Sequence, residues 1–482
     1  MPAASHINPD WHPKLEESPS YDLLVAGGGP SGLSAALAAA RAGFSTLLVE
    51  ANGQLGGMGV SGMVSHWLGG RTNDTDHWVV GGIFRELSLE AAERGIAGLP
   101  RAGSGDRFEP YGWNRGKGQL QAGIPFDPFA MAALLEEKLV DAGVNILYHT
   151  RVVDVLVADE RITHGIIHNK SGFQAVPASV FVDATGDADV AEFSGCPTIL
   201  GREEDRLMTP VTLQCHMENI DREALSAYIN ENNAPRFLVE IEKWREEGVW
   251  NFSYNRFISV QLTEPDTFMI NTPRLTGIDG TDGESLSRGM IQGRKEILEL
   301  LEIMRAHIPG CANARIKAIA PAMGVRETRR IVGDFQLTVQ DLVDGVHLPD
   351  TIGFTAYGWD LPDPKRPSYQ PMTEKKVKKK EITPIPYRVM VPKPIKNLIC
   401  PGRAVWVERD VLGPMRVQAP CMAMGQAAGL AAAQVLADGS RRAAFASVDT
   451  DRLRAELKAL GALVDSADIE AAVLPAAATA AL

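Results

Sequence analysis

The sequence predicts an α/β protein: a doubly wound parallel sheet built from both ends of the chain, with an α+β domain inserted between them. Three observations predict it. Residues 21–50 read as strand, glycine-rich turn, helix and strand, which is one βαβ unit. Residues 398–436 return to a short apolar strand and an alanine-rich helix. Between 201 and 384 that pattern gives way to polar–apolar alternation, as in VTLQCHMEN and NRFISVQL, which reads as an antiparallel sheet with flanking helices. At 482 residues the chain is also too long for one ordinary core. The expected division is 20–200 with 385–440 as one discontinuous domain, 201–384 as the insert, and 441–482 as a C-terminal helix and tail.

The first unit opens with the apolar strand Tyr21–Ala26 and breaks at three glycines. Gly27 permits the tight turn, Gly29 lets the backbone approach a pyrophosphate, and Gly32 lets the next helix lie close to the strand. Pro30 and Ser31 complete the turn. The alanine-rich run Ser31–Arg41 favours helix, and its N-terminus offers free N–H groups to phosphate. Gly43 ends the helix, and Ser45–Val49 is a second strand closing on Glu50, an acid placed to accept from a ribose hydroxyl.

A second glycine-rich loop, NGQLGGMGVSG, follows at 52–62. On this loop the sequence resembles the FAD-binding domain of the glutathione-reductase-like flavoproteins. The resemblance implies a Rossmann-like FAD domain in two parts, with Gly56, Gly57 and Met58 near the phosphates and flavin. It also implies that VNILYHTRVVDV lies beside the adenine, with Val152 acting through its backbone. The strand end ATGD would close the first half, placing Ala184, Gly186 and Asp187 at the cofactor; Asp187 could equally cap the next helix.

Residues 63–125 are irregular apart from a helix expected at 82–94, and so long a connection is usually functional. Trp67, Trp78 and Trp113 in it read equally as core. A helix over 126–142 starts well at Asp127 and Pro128, and another is expected over 284–305.

The closing block resembles the broad family of FAD-dependent oxidoreductases, as do GGGPSG, RETRRIVGD and IPYR. In that family GR, then RV, then GQAAG recur in this order near the C-terminus. The match spans about 20–470. It implies that Gly402, Arg403, Gly425, Gln426 and Ala427 serve the cofactor, with a helix N-terminus at the flavin pyrimidine.

Chemistry is sought among arginines first, because guanidinium forks bind carboxylates. Arg416 and Arg329 are candidates to fix an anionic or hydroxyl-rich substrate; the competing reading has the RETRR arginines pairing with Glu327 and Asp334. His66, His347 and Tyr357 are acid–base candidates, with His216 beside them. His66 follows the glycine loop at a spacing loosely similar to that of histidines carrying covalent FAD in succinate-dehydrogenase-like enzymes, but non-covalent FAD is the expectation. No second GxGxxG follows a strand, which argues against a dedicated NAD(P)H domain.

A net charge of −12 argues against a nucleic-acid groove. The one basic run, KKVKKK at 375–380, reads as a solvated loop. The five cysteines form no CxxC, which argues against an iron–sulfur cluster or structural metal. No apolar run reaches the roughly 18 residues of a membrane helix, and the polar N-terminus lacks a signal core, so a cytoplasmic protein is expected. The expected function is FAD-dependent oxidation of a small polar organic substrate by hydride transfer from C–H to flavin N5. A reductase of activated alkenes, an electron-carrying flavoprotein subunit and a non-redox enzyme stay as alternatives. Electron acceptor and homo-oligomerisation stay open.

Overall fold

The computed structural model describes residues 14–72, 77–99, 123–439 and 443–472. The glycine- and arginine-rich loop and Trp113 lie outside the described residues.

Five parallel strands form the central sheet in the order Asn145–Leu147, Thr46–Val49, Tyr21–Ala26, the end of Gly172–Asp183, then Leu398–Ile399. Alternation along the central strand sorts its side chains to two faces. Leu23 and Val25 face a helical layer, the opening helix Pro30–Arg41 and the closing helix Gln418–Asp438. Leu24 and Ala26 face the antiparallel strands Arg151–Ala158, Arg161–Asn169 and Gly172–Asp183, which fold over the other side. The central strand is the switch point: the chain leaves it toward Thr46–Val49 and returns on its other side through Val180–Asp183. In such sheets the crevice beyond the strand C-termini is where a ligand binds.

The inserted part holds an antiparallel sheet in the order Ser259–Gln261, Phe268–Ile270, Cys215–Glu218, Arg315–Ile319. The long helix Gly283–His307 packs on it, capped by the Asp282 carboxylate, which accepts from Ser285 N. The apolar core of this part runs from Val211 to Val325, with Met63 reaching in from the glycine-loop side. Residues Leu337–Tyr387, by contrast, share the core of the closing helix, through Ile352 and Phe354 of the strand Thr351–Thr355.

Most expected elements lie within two residues of their predicted ends. The helix after Asp127 is Pro128–Asp141, with Asp127 Oδ1 accepting from Phe129 N and Ala130 N. Its apolar stripe runs through Met131, Leu134, Leu135 and Leu139, while Phe129 is exposed. Helix Thr450–Ala459 buries Leu453 and Leu457 in the main core, and Ala472 O accepts from Trp78 N. Trp67 and Trp78 are core residues packed around Phe84. All five cysteines are buried and none forms a disulfide. No described helix is long and apolar enough to cross a membrane.

Candidate functional site

Two features stand out: a cluster of glycine turns following the parallel strands, termed the trough, and an arginine-lined cavity.

The trough begins where the central strand ends. Gly27 has φ +99°, and a Cβ on Gly32 would fall 1.8 Å from the Gly27 carbonyl oxygen, so the helix can lie on the strand only with glycine there. Gly29 caps the opening helix without any side-chain hydrogen bond, and no acid occupies its first turn. The helix start therefore keeps its positive end open to an anion. The second loop presses against the first: Gly56 N donates to Gly28 O, and a Cβ on Gly57 would stand 2.7 Å from Gly29 Cα. Met58 follows in the short turn Gly57–Gly59. From the other chain end Gly402 arrives beside the Ser31 side chain.

Glu50 closes its strand, and its buried carboxylate accepts from Gly28 N at 2.7 Å and from Asn52 N and Nδ2 at 2.7 Å. Thr150 N donates to Glu50 O, so the strand bearing Val152 starts beside that acid. Ala184 N donates to Ala26 O next to the glycine turn. Arg403 then ties the segments together: Nε donates to Gly186 O at 2.5 Å, and the two Nη groups reach Val325 O and the Asp187 carboxylate. Thr328 Oγ1 also donates to Asp187. Asp187 does not cap the helix Asp189–Phe193, whose N-cap position is Ala188; the Asp183 carboxylate accepts from Ala191 N in its first turn.

The GQAAG residues serve the helix layer. Gly425 sits against the Ser31 backbone and Ala427 is buried. Gln426 Oε1 accepts from Ile83 N at the start of helix Gly82–Glu93. The N-terminus of the closing helix is instead Val417–Gln418, immediately after Arg416.

That N-terminus backs onto the cavity. Gly69 bridges them, its Cα side facing Val417 and Tyr357. The cavity measures about 870 Å³ and is walled by Val64, His66 and Leu68, by Tyr357–Asp360, and by the inserted sheet. At its wall Arg416 Nη2 donates to Asp360 O at 2.8 Å and to Asp360 Oδ2 at 3.1 Å. Tyr357 OH donates to the same Oδ2 at 3.1 Å, and Gln370 Nε2 donates to Oδ1 at 2.9 Å. Burial would push the Asp360 carboxyl up, but Arg416, Arg274 and Arg326 outweigh it and hold it below the usual range. Burial, with the neighbouring Asp360 charge, pushes the Tyr357 phenol well up, so it stays protonated.

Arg416 and Tyr357 thus come together, and two other candidates do not join them. Arg329 donates to Asp187 O and Asp189 Oδ1, on the turn that Arg403 also holds. His347 is exposed on the loop after helix Val339–Asp344 and is not among the cavity-lining residues. His66 lines the cavity but is buried, and burial with the nearby Arg71 charge pushes its imidazole down to about 3. His216 is likewise buried, with Nε2 3.2 Å from Met63 O, and is pushed down to about 4 by burial.

The RETRR partners differ from those expected. Glu327 receives Arg409 through two bonds, at 2.7 and 2.6 Å, and Asp334 pairs with Lys393. Arg326 donates to Pro210 O, Thr212 Oγ1 and Asn271 Oδ1, and Arg330 to Val407 O and Gly201 O.

Sequence reasoning missed Arg236, Arg256, Arg274 and the lysines at 376 and 378–380 of the KKVKKK run, all of which contribute to the cavity wall. The only available signal was their charge. No group of His, Cys, Asp and Glu among the described residues is arranged to hold a metal ion.

Residues 22–457 match the family model described as FAD dependent oxidoreductase, and the chain belongs to that family. Among curated proteins it is 30% identical over 194 residues to a thiamine thiazole synthase of Aeropyrum pernix, covering 36% of this chain and 58% of that protein. It is 26% identical over 221 residues to digeranylgeranylglycerophospholipid reductase 1 of Methanopyrus kandleri, covering 45% and 52%. The chain thus spans between half and two thirds of the length of these relatives. Among solved structures, a geranylgeranyl bacteriochlorophyll reductase-like protein of Thermoplasma acidophilum aligns at TM-score 0.45 and 12% identity, covering 95% of this chain and 91% of that one. A flavin-dependent brominase aligns at 0.47 and 14%, covering 91% and 84%.

Proposed function

We propose that this chain oxidises a small polar organic molecule held in the cavity, with non-covalent FAD lying along the glycine trough. The trough fits that cofactor because its open helix start and close-set glycine loops leave backbone N–H groups, and no side chains, toward an anionic ligand. Gly27, Gly29, Pro30, Ser31, Gly32 and Gly402 would flank the pyrophosphate. Glu50 would meet the adenosine ribose, and the backbone at Val152 the adenine. Gly56, Gly57 and Met58 would lie toward the flavin. We propose that Ala184, Gly186, Asp187, Arg403 and Gly425 act by holding the trough walls, and that Gln426 and Ala427 act through packing. As domains, residues 201–325 would form the insert and 337–384 would go with the FAD domain, because their apolar side chains divide that way.

The bound FAD supplies the two-electron acceptor. The observation that carries the reading is the Arg416–Asp360–Tyr357 group, which stands at the cavity wall and at the start of the closing helix together. Arg416 holds Asp360 ionised. Tyr357 OH can then receive a proton from a substrate hydroxyl or amine as it passes its own to Asp360 Oδ2. His66, kept neutral by burial, would shape the cavity without exchanging protons near pH 7.

Anaerobic bleaching of the flavin by a panel of hydroxy acids, sugars and amines tests this. Bleaching by at least one, slowed by Y357F, is expected. If none bleaches it, while an enoate re-oxidises the dithionite-reduced flavin, the direction is reduction and the alkene reductase reading takes its place. Acid precipitation should release all yellow colour into solution.

A further inference from the structure

The cavity is electrostatically lopsided in a protein that is acidic overall. Seven cationic side chains line it against three carboxylates. One of the three, Asp360, is already engaged by Arg416, Tyr357 and Gln370. Arg326 and Arg416 stand behind the wall and act on the same carboxylate.

Two of the lining guanidinium groups each carry a buried nitrogen without a hydrogen-bond partner among the described residues. Arg274 is 5% exposed; its Nη1 donates to Pro367 O, its guanidinium carbon lies 4.0 Å above the Tyr254 ring, and its Nε is buried without a hydrogen-bond partner among the described residues. Arg256 Nε is likewise buried without a partner. Removing a cation from water costs several kcal/mol unless a counter-charge or hydrogen bonds replace the water. Gathering cations around a cavity with so few acceptors makes physical sense where the acceptors arrive with the ligand. The strain shows at Arg326, which burial, Arg274 and Arg416 together push down to about 9.

The cations fall in two groups on separate segments. Arg236, Arg256 and Arg274 belong to the inserted part, and Lys376–Lys380 to the later segment 337–384. Guanidinium forks suit planar carboxylates, and ammonium groups suit any anion. The volume is that of a metabolite pocket.

We propose that this cavity takes a small organic polyanion bearing at least two carboxylate or phosphate groups, one held by Arg256 and Arg274 and the other by the Lys376–Lys380 segment. This rests on the reading of the cavity as the substrate site.

The test is calorimetric titration of the full-length, FAD-loaded protein. Succinate and glycerol 2-phosphate serve as dianions, propionate as a monoanion and succinamide as the neutral control. A dianion should bind roughly tenfold or more tighter than propionate, and succinamide should give no heat. Comparing the two dianions separates carboxylate from phosphate. R256Q should weaken dianion binding by roughly tenfold. K378Q/K380Q, which alters two exposed lysines and keeps the proposal testable if R256Q fails to fold, should weaken dianions and spare propionate. Equal binding of succinamide, no binding of either dianion at millimolar concentration, or an unaltered dianion affinity in K378Q/K380Q would overturn the proposal. Heat from a dianion, with no substrate of any class bleaching the flavin, would uphold the anion site and sink the oxidation reading. Bleaching by neutral substrates alone, with no dianion bound, would do the reverse.

Discussion

Gly425 on the closing helix lies directly over Ser31 on the opening helix: a Cβ at 425 would stand 2.1 Å from the Ser31 carbonyl oxygen. One turn on, a Cβ on Gly429 would stand 2.3 Å from Ala35 O. The two ends of the chain thus meet along a glycine seam, and the same seam positions Ser31 beside Gly402 at the mouth of the trough. Neither clash involves a flexible side chain, so a methyl group can be admitted only by moving a helix.

G425A should therefore destabilise the protein by roughly 2–3 kcal/mol, the range of overpacking in a tight core. It should also weaken FAD retention, because the displaced helix carries the trough wall. Thermal unfolding and the flavin-to-protein ratio after gel filtration check this. An unchanged midpoint with full flavin content would show that the seam is loose.

Arg403 makes a second tie, across the trough. It joins Gly186 and Asp187 to Val325, at the end of the inserted core. The Arg403 side chain is 13% exposed and that of Asp187 24%, so solvent screening moderates the pair. R403A should cost roughly 2–3 kcal/mol, mostly from the three lost bonds, with Thr328 Oγ1 still donating to Asp187. D187N should cost less, because the bonds to Gly186 O and Val325 O remain. A larger loss in D187N than in R403A, by thermal unfolding, would assign the tie to the carboxylate instead.

The centre of the parallel sheet was legible because Tyr21–Ala26 and Thr46–Val49 are short apolar runs closed by Gly27 and Glu50. The two-ended FAD domain was legible because its glycines answer to backbone approach, which leaves a spacing in the sequence. The site beside it was not. Arg236, Arg256 and Arg274 come from a loop, a strand approach and a strand exit, and share no period; only the folded insert brings them together. KKVKKK reads as a solvated loop because charge runs usually are, yet Lys376 and Lys378–Lys380 face the cavity. Arg329 and Arg416 look alike in sequence, but Asp189 claims the first and Asp360 the second. Residues 337–361 fall inside the range read as insert, and their apolar side chains, Ile352 and Phe354 among them, share the core of the closing helix.

The Arg416–Asp360 pair predicts a pH signature. Asp360 is held below the usual carboxylate range because three arginines outweigh its burial. If the ionised form is the proton acceptor, turnover is kept above its pKa and lost as pH falls through it. Removing Arg416 takes away the largest opposing charge, so the pKa rises and the acidic limb of kcat moves to higher pH. R416A should show that displacement with flavin still bound, and Y357F should lower kcat roughly a hundredfold and, by removing one hydrogen bond to the carboxylate, move the limb the same way by less. Coincident acidic limbs in wild type and R416A would remove Asp360 from the proton path.

Lys379 gives the alkaline counterpart. Burial pushes its ammonium group down to about 8, against the smaller opposing pull of Glu381. Its Nζ donates to the carbonyls of Lys380 and Glu381, while Lys376, Lys378 and Lys380 line the same cavity. Its folded pKa lies below the unfolded value of 10.5, so between about 8 and 10.5 the unfolded chain binds the extra proton. This one group therefore favours the fold more as pH rises through that window, and disfavours it below. A bound anion has the opposite preference, since it is drawn to the charged form. Succinate affinity should accordingly fall as pH rises through about 8, and proton uptake should accompany binding there. K379M should abolish the uptake and flatten affinity across that range, leaving only the pull of the neighbouring lysines. Calorimetry in two buffers of different ionisation enthalpy measures the uptake directly. Equal heats in both buffers near pH 8 would show that Lys379 does not sense the ligand.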